Sequence, residues 1–155
     1  MKLSDNLSLQ EVTKSATAKR LGISNEPTAE HLENLKATAL NIFQPCREHF
    51  GKPIAVTSGY RSKALNTAIH GSLSSQHCKG QALDMDAQVY GGLTNKDLFN
   101  YIKDNVDFDQ LIWEFGNDSE PDWVHASYNG AMNRGEMLKA KRNSKGKVFY
   151  ERYEG

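Results

Sequence analysis

The chain alternates between stretches whose apolar residues recur every third or fourth position and stretches where they recur every second one. SLQE, Ser8 to Glu11, sets a serine three places before a glutamate, the reciprocal cap that opens a helix, and predicts a short helix ending near Gly22. Pro27 and Thr28 introduce a longer helix in which Leu32, Leu35, Ala39, Ile42 and Phe43 fall on one face. Pro45 kinks or splits that helix, because it lacks a backbone donor and its ring clashes with the preceding turn, and Gly51 closes it. SKALNTAI predicts a short helix. TNKDLFNYIKDN predicts a capped amphipathic one with Leu98, Phe99, Ile102 and Val106 turned inward.

The segments PIAVTSGY, QALDMD, FDQLIWEF and DWVHASY read as strands, and EMLKAKRNSKGKVFYERY as a hairpin turning at NSKG. Helices come first and strands later, which predicts an α+β fold with N-terminal helices packed on a mainly antiparallel sheet. No repeat, low-complexity tract or linker interrupts the chain, so residues 1–155 are expected to form a single domain.

Charge narrows the function classes. The 19 Lys and Arg balance the 19 Asp and Glu, which removes the basic footprint of a nucleic-acid binder, and no nucleic-acid partner is expected. No apolar run approaches transmembrane length, and MKLSDNLSLQEVTKS lacks the apolar centre of a signal peptide. Cys46 and Cys78 have no framework spacing and are expected to stay unpaired.

The chemistry concentrates in SLSSQHCKGQALDMDA, residues 72 to 87. On a strand over QALDMD, Leu83 and Met85 face the core while Ala82, Asp84 and Asp86 face the other way. A row of carboxylates is costly to bury unless a cation or donors meet it. Gly80 is a flexible point that lets His77 fold back over the face carrying Asp84. His125, in EPDWVHAS, is the best candidate for a third ligand. Two histidines and a carboxylate, with one position left for water, make the ligand set of a catalytic zinc site. His31, His49 and His70 are expected to be ordinary hydrogen-bonded histidines. Asp86 either orients a histidine or caps a turn.

These residues resemble the zinc D-Ala-D-Ala peptidase family, which includes D-Ala-D-Ala carboxypeptidases, dipeptidases and phage L-alanyl-D-glutamate endopeptidases. The family pattern S-x-H-x-x-G-x-A-x-D is met by Ser75, His77, Gly80, Ala82 and Asp84, and its later acidic residue three before a histidine by Asp122 and His125. PIAVTSGYRS resembles the family's strand and arginine turn, and the similarity runs over roughly residues 5 to 130. The resemblance implies a hedgehog/D-Ala-D-Ala peptidase-like fold and Zn2+ bound by His77, Asp84 and His125. It also implies Asp122 as general base, Arg61 as stabiliser of the oxyanion, and Ser75 as a substrate contact or a support of the His77 loop. Asp122 and His125 have odd spacing, so both reach one metal only if Pro121 and Asp122 lie in a turn or bulge. Glu120 is therefore a rival base, while a solvated acidic turn is the plain alternative for NDSEPD. For Arg61 the plain alternative is a salt bridge beside a helix start.

The expected function is zinc-dependent hydrolysis of a peptide bond in peptidoglycan stem peptides by a monomeric enzyme. Without a visible signal peptide, the expectation is a cytoplasmic protein until it is released or delivered to the wall, as a phage lysin or tail-associated component. The alternative is a non-catalytic module of the same fold that keeps zinc and binds the wall or a phage particle.

Overall fold

The computed structural model describes residues 1–155, and it is a mixed α+β fold built around a mostly antiparallel six-stranded sheet. A small hairpin opens the chain, with β1 (Lys2–Ser4) antiparallel to β2 (Leu7–Ser8). Sequence periodicity did not predict it, because strands this short show no alternation. Ser8 then caps α1 (Leu9–Thr13) through the expected box: its hydroxyl accepts from Glu11 N–H, and the Glu11 carboxylate accepts from Ser8 N–H. The helix expected to run to Gly22 is two helices. Lys14 leaves helical geometry and Ser15 recaps α2 (Ala16–Leu21), which Gly22 ends in the left-handed region.

Thr28 caps α3 (Ala29–Thr38). The chain then widens into a π-helical turn over Ala39–Phe43, closed by Gln44 N–H on the Ala39 carbonyl, before α4 (Gln44–Phe50) continues with Pro45 in its first turn. Pro45 thus splits the helical run as expected. The wider turn absorbs the proline ring, and Ile42, Phe43 and Cys46 all stay buried.

The remaining elements are β3 (Ala55–Ser58), α5 (Lys63–Ala68), β4 (Ala82–Asp86), α6 (Asn95–Asn105), β5 (Gln110–Glu114), β6 (Trp123–Ser127), β7 (Glu136–Arg142) and β8 (Val148–Arg152). The sheet order is β3-β4-β6-β5-β7-β8. All neighbours are antiparallel except β5 and β7, which run parallel. The tail hairpin turns where expected, with the Asn143 side chain accepting from the Lys145 and Lys147 amides.

One face of this sheet is core. Leu83, Met85, Leu111, Trp113, Val124 and Ala126 join Val12, Leu35, Phe43, Phe99 and Ile102 in a single apolar cluster. The alternate positions, Asp84, Ile112, Glu114, Trp123 and His125, lie on the other face. No helix is long and apolar enough to cross a membrane.

Candidate metal centre

The three expected ligands meet. One ligand atom from each of His77, Asp84 and His125 lies within 4.8 Å of the others. Asp84 and His125 are direct cross-strand partners on β4 and β6, which sets their side chains on one face at neighbouring positions. The His125 Nδ1 is hydrogen-bonded to Asp84 Oδ1 at 2.9 Å, and His77 Nε2 stands 3.4 Å from the same oxygen.

His77 arrives from a one-turn 3-10 segment, Gln76–Lys79. Its Nδ1 is 2.7 Å from the carbonyl of Gly59, just after β3, and donates to it. That bond fixes the tautomer and leaves Nε2 free to face Asp84, the usual way an orienting carbonyl prepares a histidine for a metal. The turn is pinned from several sides. The Ser75 hydroxyl accepts from His77 N–H, Arg61 N–H donates to the His77 carbonyl, and Asn34 and Thr38 of α3 donate to the carbonyls of Lys79 and Gly80. Gly80 has φ of 74°, and a Cβ there would stand 2.5 Å from the His31 carbonyl, so both its conformation and its closeness to α3 require glycine.

Burial alone would raise the Asp84 carboxyl. The adjacent imidazoles, through charge and hydrogen bonds, override it and hold the group well below the usual carboxylate range. Two inward-facing imidazole nitrogens and a carboxylate that stays ionised, all screened from bulk water, are a donor set suited to zinc.

The other expected residues fall in different places. Asp122 stands in a bend ahead of β6, as its odd spacing required. It is exposed, and it lines a groove with Trp113, Asp118 and Lys139 that includes none of the three cluster residues. Glu120 is already engaged, accepting the Lys96 N–H at the start of α6 at 2.6 Å. Asp86 serves a turn: its Oδ1 accepts from Gln88 N–H and from the fully buried Asn95, whose amide also donates to the Asp122 carbonyl. Arg61 forms no ion pair. One of its Nη atoms donates to Asn66, while its Nε is buried without a partner. Ser75 supports the His77 turn. His31 pairs with the Tyr60 hydroxyl and His49 stacks on Tyr101, both ordinary structural roles. Cys46 and Cys78 are free thiols.

Over nearly all of these elements the chain matches a known family. The family model described as Peptidase M15 covers residues 5–127. The chain belongs to the M15 peptidases. These are zinc-dependent metallopeptidases of the D-Ala-D-Ala peptidase type, so the His77, Asp84 and His125 cluster stands where this family's chemistry needs a metal. No curated protein matches the chain.

Two residues of the metal face were not singled out from sequence. Glu114 follows Ile112 by two positions on β5, and Ile112 is the direct partner of His125. Glu114 is therefore diagonal to His125, and it is only 8% exposed. Burial pushes its carboxyl up to about 7; His125 opposes that rise and Asp84 adds to it. The second residue is Tyr150 of β8. Glu114, Ala140 and Tyr150 form one row across β5, β7 and β8. The small Ala140 leaves room for the phenol to lean toward the site, and burial, Glu114 and Asp84 together raise its pKa. The hairpin carrying Tyr150 lies beyond the residues that the family model covers.

Proposed function

We propose that this chain is a zinc-dependent peptidase that hydrolyses a peptide bond in peptidoglycan stem peptides, as a D-Ala-D-Ala carboxypeptidase or an L-Ala-D-Glu endopeptidase. It works as a monomeric single domain and reaches the wall by a lysin-like or particle-borne route. The observation that carries the proposal is the convergence of His77, Asp84 and His125 within 4.8 Å in a chain of the M15 family.

His77, Asp84 and His125 hold the zinc. When bound, it polarises a peptide carbonyl and acidifies water at the site. The chain's own residues do the rest. Gly59 holds the His77 ring, and Ser75 holds the turn on which it sits. Arg61 supplies a guanidinium with an unspent N–H, which suits it to meet the negative charge that develops on the carbonyl oxygen. A carboxylate must also carry a proton from water to the leaving amine nitrogen. The family pattern gives that task to Asp122, with Glu120 as its rival.

The test is mass spectrometry of purified peptidoglycan fragments after incubation with the protein, with and without a zinc chelator. The expected result is chelator-sensitive cleavage, and the product masses identify the bond. Absence of cleavage across several wall chemistries would overturn the peptidase and leave a zinc-containing binding module.

A further inference from the structure

The reaction proposed above needs a carboxylate that faces the metal ligands and is not committed elsewhere. On the metal face Asp84 is bound between two imidazoles, Asp86 is held by Asn95 and Gln88, and Glu136 accepts from Gln110. Glu114 has no such engagement: no protein group donates a hydrogen bond to its carboxylate. It sits diagonally across the β5–β6 pair from His125, a separation of about 7–8 Å between backbones that a glutamate side chain spans. It lies outside the ligand trio, which leaves it free to handle protons. Asp122 is exposed in a different groove, and Glu120 caps α6.

We propose that Glu114, rather than Asp122, is the general base and acid of the peptidase. The assignment rests on the peptidase function proposed above. A Glu114 carboxylate oxygen takes a proton from water as the water oxygen bonds to the peptide carbonyl carbon. When the C–N bond breaks, its electron pair stays on nitrogen, and Glu114 returns the proton to that nitrogen. The products are a carboxylic acid and an amine, and Glu114 ends as it began. A wall position on β5, between the ligand face and Tyr150, also keeps this proton path out of bulk water.

The experiment compares the zinc-loaded wild type with E114Q, E114D and D122N for turnover and bound zinc. It adds carbon-13 NMR of glutamate-labelled protein, with the Glu114 carboxyl assigned by its absence in E114Q. E114Q is expected to keep one zinc and lose turnover by about 10²–10⁴-fold. E114D should recover part of that loss, D122N should stay near wild type, and zinc should shift the Glu114 carboxyl resonance. Near-normal turnover in E114Q, the full loss falling on D122N instead, or a Glu114 resonance unmoved by zinc would each overturn the assignment. If the wild type itself cleaves nothing, the peptidase function fails first and the assignment falls with it. If the wild type cleaves and E114Q does too, only the assignment fails.

Discussion

His77 hangs from the carbonyl of Gly59, 2.7 Å from its Nδ1, so the ring that faces the metal is aimed by a backbone atom of another element. Gly59 can hold that carbonyl in place only because it has no side chain. A Cβ there would stand 2.5 Å from the Val12 carbonyl oxygen and 2.7 Å from Val12 Cβ, both part of the buried α1 contact. Gly59→Ala is therefore expected to cost about 1–3 kcal/mol of stability by overpacking. Moving the carbonyl should also weaken zinc binding by about 10–100-fold, as other losses of an orienting partner do. Competition against a calibrated chelator reads the second effect, and unchanged affinity would detach the Gly59 contact from the metal site.

Asp109 ties the same turn to the tail. Its carboxylate accepts from Gln76, the neighbour of His77, and from Nε, Nη2 and the backbone N–H of Arg134. The Arg134 hydrogen bond, above all, holds the Asp109 carboxyl below the usual range. A carboxyl depressed by folding stabilises the fold above its ordinary titration range, and that contribution is lost as pH falls through the depressed value. Arg134 is 56% exposed on its side chain, so solvent screening leaves about 1 kcal/mol for Arg134→Ala at neutral pH. Urea unfolding should show that deficit at pH 7 and see it shrink on strong acidification. A deficit that is constant with pH would rule out the ion pair as its cause.

Glu114 gives the opposite sign. Its carboxyl is raised from 4.5 to about 7 in the fold, facing Asp84, His125 and Tyr150. The folded state thus binds the proton more tightly than the unfolded one. Stability from this group is complete below 4.5 and falls as pH rises through about 7. At about 1.4 kcal/mol for each tenfold change in proton affinity, metal-free Glu114→Gln is expected to exceed wild type by on the order of 3 kcal/mol at pH 8. The gain should vanish at pH 4. Thermal unfolding of chelator-treated protein at both pH values measures it, and equal stabilities at pH 8 would refute it.

Tyr153 shows that the C-terminal segment belongs to the core although the family model stops at residue 127. Its ring centroid lies 4.8 Å from that of Phe99 and 6.0 Å from that of Trp113. Tyr153→Ala is expected to cost about 2 kcal/mol, less than a fully buried aromatic because the ring is half-exposed. Trp113 emission should move to the red as its ring meets water. Unaltered emission would mean that the hairpin closes over Trp113 without Tyr153.

The metal ligands were legible because each is marked locally: His77 and Asp84 by a glycine turn and an alternating strand, His125 by its own short alternation. Glu114 was not, although a lone carboxylate inside LIWEF was a signal. Its meaning depends on β5 lying beside β6 in a register that sets Ile112 against His125, and no local pattern fixes a register between strands. The parallel pairing of β5 with β7 was hidden for the same reason. The break at Lys14 and the hairpin before Ser8 lay below the length at which periodicity can speak. The splitting at Pro45 was readable from one residue, because proline's missing donor acts wherever it is placed.

The π-helical turn at Ala39–Phe43 makes the chain length itself a conserved quantity of this fold. Deleting one residue there would return the segment to ordinary helical winding and rotate everything downstream by about 100°. Cys46 would then swing off the core, and β3 with its Gly59 carbonyl would be carried out of line with His77. Loop tips such as Asn143–Gly146 can gain or lose residues at little cost, but in this helix the count is as binding as the identities.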